Sequence, residues 1–426
     1  MARENRGTSQ RAGEDSLPSS FTGATLSRVT EWLYLASLAL LPWAAVPAFP
    51  WLHPRAQWSD LVFALAAALW AADLWRRGVW PKLGAAHAGM AQYLVMATLS
   101  LLFADPRPPS GAAKLLGLGL LAAMAVVSAD VIPRIGVAVV ARTIAATTLA
   151  SAAAALLGVG LFFAGVATPF VGRYGDLVPG DYARAQAGLP HPNLLASFCV
   201  FAYGVVARND AGLSLRFRRL TTSALVLTSL LTFSRGTLAL ALAFLVHHAD
   251  TRRRRRRTAL ASVLFVTLLA TLNVTNVRLD PTRPWEIRLL ETPSSRRQAL
   301  TSSLVTLREH PWFGTGPGTS PGAWDGYPWD AHCTVLNVAA TLGLPALAGL
   351  LLVPIALWRS RPRPTDLATW GMLAGFGLES VGHDVEDFRH VWVAFGLAAV
   401  ADVRGPTASD GSTLGQCCED RPSVVP

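Results

Sequence analysis

Long apolar stretches alternate with short polar segments along most of this chain. About twelve of these stretches, between residues 32 and 402, approach the roughly 20 residues that a helix needs to span a bilayer. The pattern predicts an all-α fold: a polytopic transmembrane helical bundle of about twelve spans. We expect disordered cytoplasmic tails at 1–31 and 403–426.

Composition supports a membrane location. Hydrophobic residues make up 52% of the chain and charged residues only 15%, whereas a soluble domain carries about 25% charged residues. The formal charge of +10 does not indicate a nucleic-acid partner, because the basic residues lie in short loops, where they set orientation in the membrane. The four cysteines show no metal-ligand spacing; they are Cys199, Cys333, Cys417 and Cys418.

The distribution of basic residues predicts the orientation of the bundle. If the N-terminus lies inside, about two thirds of the Lys and Arg residues fall on the cytoplasmic side, including the run Arg252 to Arg257. Both termini are therefore predicted to be cytoplasmic. Two substantial loops then lie outside, at about 168–190 and, between spans 9 and 10, about 276–331.

The larger outer loop contains one helical pattern. Its segment 296–310 lacks Gly and Pro and places Leu300, Leu304 and Leu307 on one helical face. This spacing predicts an amphipathic helix on the membrane surface. A turn-forming run of glycines and proline at 314–318 follows.

Several charged residues lie where the membrane makes them costly. Arg235 separates two short apolar segments, so it either binds a phosphate or snorkels to the interface. His332 opens a predicted span and can act as a base near neutral pH, although an interfacial histidine with satisfied hydrogen bonds explains its position equally well. Arg184 and Arg296, each taken alone, are better explained as interfacial arginines. Together with Arg235 they place three arginines on one side; lipid head groups are one possible partner, but a pyrophosphate fits better because it offers oxygens to several of them.

Other polar residues have less distinctive patterns. Asn193 and Asn337 lie near the outer ends of spans and are suited to a substrate or, more commonly, to helix–helix contacts. The charged cluster at 383–390 favours a hydrated turn with an internal salt bridge; the less common alternative is that these residues support the site or contact the acceptor. No phosphate-binding loop and no metal-ligand motif occurs, so neither cofactor nor metal is expected.

Four segments, in this order, resemble the O-antigen ligase superfamily, which includes O-antigen ligases, some O-antigen polymerases and bacterial O-oligosaccharyltransferases. They are Arg184-Ala-Gln-Ala-Gly188 with His191-Pro192-Asn193, Thr232-Phe-Ser-Arg235-Gly236, Ser295-Arg296 leading to His310-Pro311, and Ala331-His332. The resemblance extends from about residue 184 to residue 400. Three positions depart from the family pattern: Leu300, Cys333 and Ala346.

The resemblance implies a GT-C-like fold in the bacterial inner membrane and a glycan donor on undecaprenyl pyrophosphate at the periplasmic face. It implies that His332 deprotonates an acceptor hydroxyl of a glycan, lipid or protein, while Arg235 and Arg296 stabilise the departing pyrophosphate. The candidate substrate-binding residues are Arg184, His191, Asn193 and His310.

Two alternatives to a ligase remain open. A polymerase would join lipid-linked repeat units with the same chemistry. A transporter of a lipid-linked sugar or small solute would show inverted repeats and interrupted helices at the midplane. If Arg235, Arg296 and His332 converge on one outward-facing site, an enzyme is favoured over a transporter.

Overall fold

The computed structural model describes residues 19–43, 56–81, 84–173, 183–248, 294–360 and 367–400. In these ranges the chain forms thirteen α-helices. They are α1 Ser19–Ala39, α2 Trp58–Arg77, α3 Ala85–Phe103, α4 Gly111–Ile135, α5 Val137–Phe163, α6 Pro192–Val206, α7 Leu215–Leu231, α8 Gly236–His247, α9 Ser294–Glu309, α10 Thr334–Leu342, α11 Leu344–Arg359, α12 Leu367–Gly382 and α13 Arg389–Val400.

Two short antiparallel hairpins lie in the predicted outer loops. β1 (Val171–Arg173) pairs with β2 (Ala183–Ala185), and Gly172 lies opposite Arg184. β3 (Gly322–Trp324) pairs with β4 (Tyr327–Trp329). Apart from these hairpins and one 3-10 turn, the regular structure of the described residues is helical, as the apolar pattern predicts.

Four of the described helices, α2 to α5, are each long and apolar enough to cross a membrane. The 25 and 27 residues of α4 and α5 extend about 38–40 Å at 1.5 Å per residue, more than the roughly 30 Å of a hydrocarbon core. Shorter apolar helices accompany them: α6, α8, α11 and α13. The chain is therefore a polytopic membrane protein.

Glycines bring the shorter helices close together. A Cβ at Gly371 of α12 would lie 2.4 Å from the carbonyl oxygen of Ala243 in α8, and one at Gly375 would lie 2.9 Å from that of Ala239. A Cβ at Gly89 in α3 would similarly lie 2.8 Å from a carbonyl oxygen of α11. Small residues at contacts of this kind let apolar helices associate within a bilayer.

Two boundaries predicted from the sequence are wrong. The stretch 332–358 is not one span, because it divides at Gly343 into α10 and α11; this residue has a φ of +90°, which interrupts the helix. The predicted N-terminal tail also ends too late. α1 already begins at Ser19, because its first turns mix polar and apolar residues that do not register as an apolar stretch.

Other predictions fall outside the described residues. These include the ninth predicted span at about 258–275, the six-arginine run and the tail at 403–426. The count of twelve spans and the cytoplasmic location of both termini therefore stay predictions. The helix expected at 296–310 is confirmed as α9.

The helix ends that concern function meet at one end of the bundle. α6, α8, α10 and α13 begin there, and α12 ends there. Ser234, just before α8, donates to the side chain of Asn193 in α6 (Oγ to Oδ1, 2.8 Å). Thr334 at the start of α10 donates its backbone N–H to the carbonyl of His383, just after α12 (3.2 Å).

The glycine-rich run after α9 covers the opposite end of α10. The backbone N–H groups of Thr315 and Gly316 donate to the carbonyls of Ala340 (3.1 Å) and Thr341 (2.8 Å). These contacts satisfy carbonyls that the end of a helix leaves unpaired. At Gly314, a Cβ would lie 2.2 Å from the carbonyl carbon of Thr341, so only glycine fits there.

We predict that Gly343→Ala destabilises the fold. The residue has a positive φ, and a Cβ would lie 2.0 Å from the carbonyl oxygen of Trp312. Strain and overpacking together should lower the free energy of unfolding by roughly 2–4 kcal/mol. Thermal unfolding in detergent micelles measures this, with Gly117→Ala as the control, because a Cβ at Gly117 meets no atom within 4 Å. Equal stability of the two variants would contradict the prediction.

Candidate active site

The start of α6 presents polar side chains at the site. His191 occupies the N-cap, where its Nδ1 accepts the backbone N–H of Asn193 at 3.1 Å. Pro192 takes the first helical position, where the missing N–H is not needed. This arrangement fixes the point at which α6 begins. It also places His191 and Asn193 side by side at the end of the bundle.

Asn193 connects three other parts of the chain. Its Oδ1 accepts hydrogen bonds from Nη2 of Arg184 (3.1 Å) and Oγ of Ser234 (2.8 Å). Its Nδ2 lies 3.2 Å from Nδ1 of His383. Since two donors point at Oδ1, the orientation of the amide is determined, and Nδ2 is the donor toward His383.

Arg184 on β2 holds the turn between α7 and α8. The side chain is buried, with 8% of the residue exposed, and Nε donates to the carbonyl of Thr232 at 2.9 Å. Nη2 also donates to the carbonyl of Phe233 at 3.3 Å. Phe233 has a φ of +48°, a strained conformation for a side chain of this size. Arg184 therefore stabilises the turn that presents Arg235, a role that the sequence did not indicate.

Arg235 lies at the N-cap of α8 and is half-buried. Ser234, just before it, is buried and accepts the backbone N–H of Gly236 at 3.2 Å. The beginning of a helix carries partial positive charge. The guanidinium of Arg235 and the start of α8 thus both favour an anion at this position electrostatically, although the first N–H groups of α8 are already paired within the turn.

Arg296 and His332 belong to one substructure, which consists of α9 and the hairpin β3–β4 bound to it. Arg296 lies in the first turn of α9 and is half-buried. The hairpin β3–β4 is bound to the same helix, because Ser302 Oγ accepts the backbone N–H of Ala323 at 2.8 Å. His332 follows β4 and has a φ of +52°. Non-glycine residues with such values cost about 1–3 kcal/mol and occur preferentially at functional sites.

The imidazole of His332 has a defined partner. Nε1 of Trp329 donates to its Nε2 at 2.7 Å. An indole N–H is only a donor, so Nε2 is the unprotonated nitrogen and Nδ1 carries the hydrogen of the neutral ring. Burial and the charge of Arg296 lower the pKa of His332, and Asp330 opposes this shift by raising it. His332 is therefore a neutral imidazole with one basic nitrogen.

Two further histidines share this electrostatic environment. Burial, followed by the charges of Arg184 and Arg296, lowers the pKa of His191 to about 4. Burial lowers the pKa of His383 to about 3, and the next contributions come from Arg296, His332, His191 and Arg235. Arg296 contributes to the lowered pKa of all three histidines, Arg184 to that of His191 and Arg235 to that of His383. We refer to these three histidines and three arginines as the site cluster.

His310 lies apart from this cluster. It is exposed at the end of α9, and its carbonyl accepts the N–H of Gly314, which packs against the far end of α10. His332 precedes the other end of α10. The nine residues of that helix separate the two positions by about 13 Å. The structure therefore does not bring His310 together with the other predicted site residues, and its role in binding substrate stays a prediction.

The turn between α12 and α13 differs from the hydrated turn that the sequence favoured. Several of its charged residues are buried and pair with residues of other helices. Asp384 accepts from Nδ2 of Asn337 at 2.6 Å. Glu386 accepts from the hydroxyl of Tyr93 at 2.9 Å and lies 3.1 Å from Nζ of Lys114. The turn therefore connects α3, α4 and α10 and lies next to the site.

The same turn contains the acidic group among the described residues that is best arranged to hold a cation. Carboxylate oxygens of Asp384, Glu386 and Asp387 lie within 4.8 Å of one another. Burial and neighbouring carboxylates raise the pKa of Asp384 and Glu386. The ammonium of Lys114 already contacts Glu386 and Asp387 and supplies positive charge to them.

His383 was missed as a site residue because its cluster resembled a solvated loop. One signal in the sequence was available. His383 and the acidic residues follow directly on an apolar stretch, where unpaired charges are costly.

Comparison with known proteins assigns part of the chain to a family. Residues 220–351 match the family model described as O-Antigen ligase. The match covers about a third of the chain and includes Arg235, Arg296 and His332. No curated protein and no solved structure matches the chain.

We predict that Arg184→Ala lowers stability by roughly 2–4 kcal/mol. Two backbone carbonyls and the amide of Asn193 would lose a charged donor while remaining largely buried. Chemical or thermal unfolding in micelles measures the change. Arg297→Ala on the exposed face of α9 is the matched control and should be near neutral. Equal effects of the two substitutions would show that the Arg184 contacts contribute little.

Proposed function

Since residues 220–351 carry an O-antigen ligase domain, we propose that this chain transfers a glycan from undecaprenyl pyrophosphate to an acceptor hydroxyl. The family consists of membrane glycosyltransferases that use a lipid-linked glycan. We place the reaction at the periplasmic face of the bacterial inner membrane, on the basis of the loop charges. The acceptor hydroxyl belongs to a glycan, a lipid or a protein.

One observation carries this proposal most directly. Asn193 joins the turn that presents Arg235 to His383, and Thr334, two residues after His332, donates to the carbonyl of His383. The charge of Arg296 also lowers the pKa of both His332 and His383. Two guanidinium groups and a basic imidazole therefore share one end of the bundle. A diphosphate offers several oxygens to several arginines, and the basic nitrogen lies beside them. This arrangement suits a donor and an acceptor that meet at the same point.

The reaction follows from these positions. The acceptor hydroxyl gives its proton to Nε2 of His332 while its oxygen forms a bond to the anomeric carbon of the donor. The bond between that carbon and the phosphate oxygen breaks, and undecaprenyl pyrophosphate leaves with the electron pair. Negative charge grows on the leaving group, and Arg235 and Arg296 stabilise it. One such contact typically contributes about 3 kcal/mol to the rate.

Trp329 must move for this step to occur. In the structure its indole N–H donates a hydrogen bond to Nε2 of His332, which is the nitrogen that would accept the proton. The acceptor hydroxyl therefore replaces the indole as the donor to that nitrogen. Until then, the hydrogen bond from Trp329 keeps the ring oriented and in one tautomer.

The alternatives differ in what they require. A transporter of a lipid-linked sugar does not need a basic imidazole among arginines, and the family match assigns an enzyme. A polymerase would use the same cluster and the same leaving group. It differs only in its acceptor, which is itself a lipid-linked repeat unit.

The function is tested by reconstitution. Purified protein is incubated with a lipid-linked oligosaccharide and with separate glycan, lipid and protein acceptors, with and without a chelator. We expect transfer to an acceptor that is not linked to undecaprenyl, and equal transfer with chelator. Products that form only from two lipid-linked units would identify a polymerase. Absence of transfer to every acceptor would contradict the proposal.

We predict that His332→Ala abolishes glycan transfer while the protein still inserts into the membrane. Loss of a general base typically lowers the rate by about 10²–10⁴. Glycan transfer in cells that carry the variant, together with its amount in the membrane fraction, measures both effects. Wild-type levels of glycan would overturn the assignment of His332 as the base.

We predict that Trp329→Phe shifts the pH dependence of kcat/KM. The indole donates to the unprotonated nitrogen, which stabilises neutral His332 and so lowers its pKa. Without this bond the pKa rises, and the acidic limb of the profile should move to higher pH. Trp312→Phe, which changes an exposed tryptophan, is the control. An unchanged limb, or a shift to lower pH, would contradict the assignment.

A further inference from the structure

His383 is a buried histidine to which the reaction described above gives no role. It begins the turn between α12 and α13, and only 6% of the residue is exposed. Its carbonyl accepts two hydrogen bonds from Thr334, one from the backbone N–H (3.2 Å) and one from Oγ1 (2.8 Å). Thr334 lies two residues after His332. The backbone of His383 is thus held beside the proposed base.

The hydrogen-bond network determines which nitrogen of His383 carries the hydrogen. Arg184 and Ser234 both donate to Oδ1 of Asn193, so the Nδ2 group of this amide must be the donor at 3.2 Å from Nδ1 of His383. Nδ1 is therefore an acceptor. In the neutral ring, the hydrogen resides on Nε2.

This Nε2–H group is buried and has no hydrogen-bond partner among the residues that the structure describes. Buried donors are almost always paired, so an unpaired one at a candidate active site requires an explanation. The charged and titratable groups that act on His383 are Arg296, His332, His191 and Arg235. These include Arg235 and Arg296, which are assigned to the leaving group, and His332, which is the proposed base. The unpaired donor therefore lies within the proposed donor site.

We propose that His383 donates its Nε2–H to an oxygen of the diphosphate of the lipid-linked donor. It would be a neutral substrate-contacting residue beside Arg235 and Arg296. The inference rests on the proposed function, and it adds a recognition element that lies outside the matched residues 220–351. It also assigns opposite roles to two neighbouring imidazoles: His332 accepts a proton, whereas His383 supplies a hydrogen bond.

The diphosphate fits this donor better than the acceptor hydroxyl does. The lone pair of His383 Nδ1 is already engaged by Asn193, so the ring has no free basic nitrogen to receive a proton. A donor among arginines meets an anionic oxygen most favourably. Since His383 is neutral, it adds a contact to the diphosphate without placing a further positive charge among Arg184, Arg235 and Arg296.

Two substitutions distinguish the contribution of Nδ1 of His383 from that of Nε2. His383→Gln carries an amide N–H about as far from the backbone as Nε2, whereas His383→Asn reaches only about as far as Nδ1 and keeps the contact with Asn193. Farnesyl pyrophosphate serves as a soluble probe for the diphosphate, and farnesol is the matched ligand without phosphate. Binding to the purified full-length protein is measured by calorimetry, and thermal unfolding reports on the fold.

We expect His383→Gln to bind farnesyl pyrophosphate within a few-fold of wild type. His383→Asn should bind it at least tenfold more weakly, and neither variant should alter farnesol binding. In transfer assays the asparagine variant should lose roughly 10²–10³ in kcat/KM. If His383→Asn does not fold, His383→Leu supplies the state without a donor in the same assays.

Three outcomes would overturn the inference: equal binding by the glutamine and asparagine variants, better binding by asparagine, or loss of fold in His383→Gln. The last would mean that the ring serves to support Asn193. Failure of the ligase proposal is distinguishable. Wild-type protein would then bind farnesyl pyrophosphate with the expected dependence on His383 and yet transfer no glycan.

Discussion

The rest of the site depends on the hydrogen bonds of the Asn193 side-chain amide. Its oxygen accepts from Arg184 and Ser234, and its nitrogen donates to His383. The start of α6, the hairpin β1–β2, the α7–α8 turn and the α12–α13 turn are thereby joined at one end of the bundle. Because each partner satisfies a polar group that would otherwise be buried unpaired, the network has little freedom to rearrange. It fixes the position of the turn from which Arg235 extends.

The charges of the arginines and the protonation states of the histidines determine which ligands the site can bind. Burial and the neighbouring arginines lower the pKa of His191, His332 and His383, so the three imidazoles are neutral at neutral pH. Neutral rings allow His332 to act as a base and His383 as a hydrogen-bond donor, whereas charged rings would all be donors and would repel one another. In the proposed reaction an anion with several oxygens contacts the arginines, and an acceptor hydroxyl beside it contacts the basic nitrogen of His332. Glycan transfer from a lipid diphosphate requires both partners.

Much of the fold and part of the candidate site could be predicted from the sequence, but only where the residues of a single segment indicated the structure or role. Arg235 was singled out because charged groups are costly at membrane depth, and the apolar stretches indicated most helices. The position of His332 left its role open, and only the family resemblance favoured a base there. The roles of Arg184 and His383 could not be predicted, because their partners lie 48 and 190 residues away in the chain. The position of His310 near the far end of α10 could not be predicted, because it depends on how the glycine-rich run packs against that helix. The division at Gly343 was missed because the residues on both sides are equally apolar.

The most direct test of this account is an experimental structure of the protein with undecaprenyl pyrophosphate bound. We predict that the two phosphates lie within hydrogen-bonding distance of Arg235 and Arg296, at the end of the bundle where α6, α8 and α10 begin. The position of the missing sugar should then face Nε2 of His332. Phosphates bound at the opposite end of these helices, or beyond the reach of both arginines, would contradict the account.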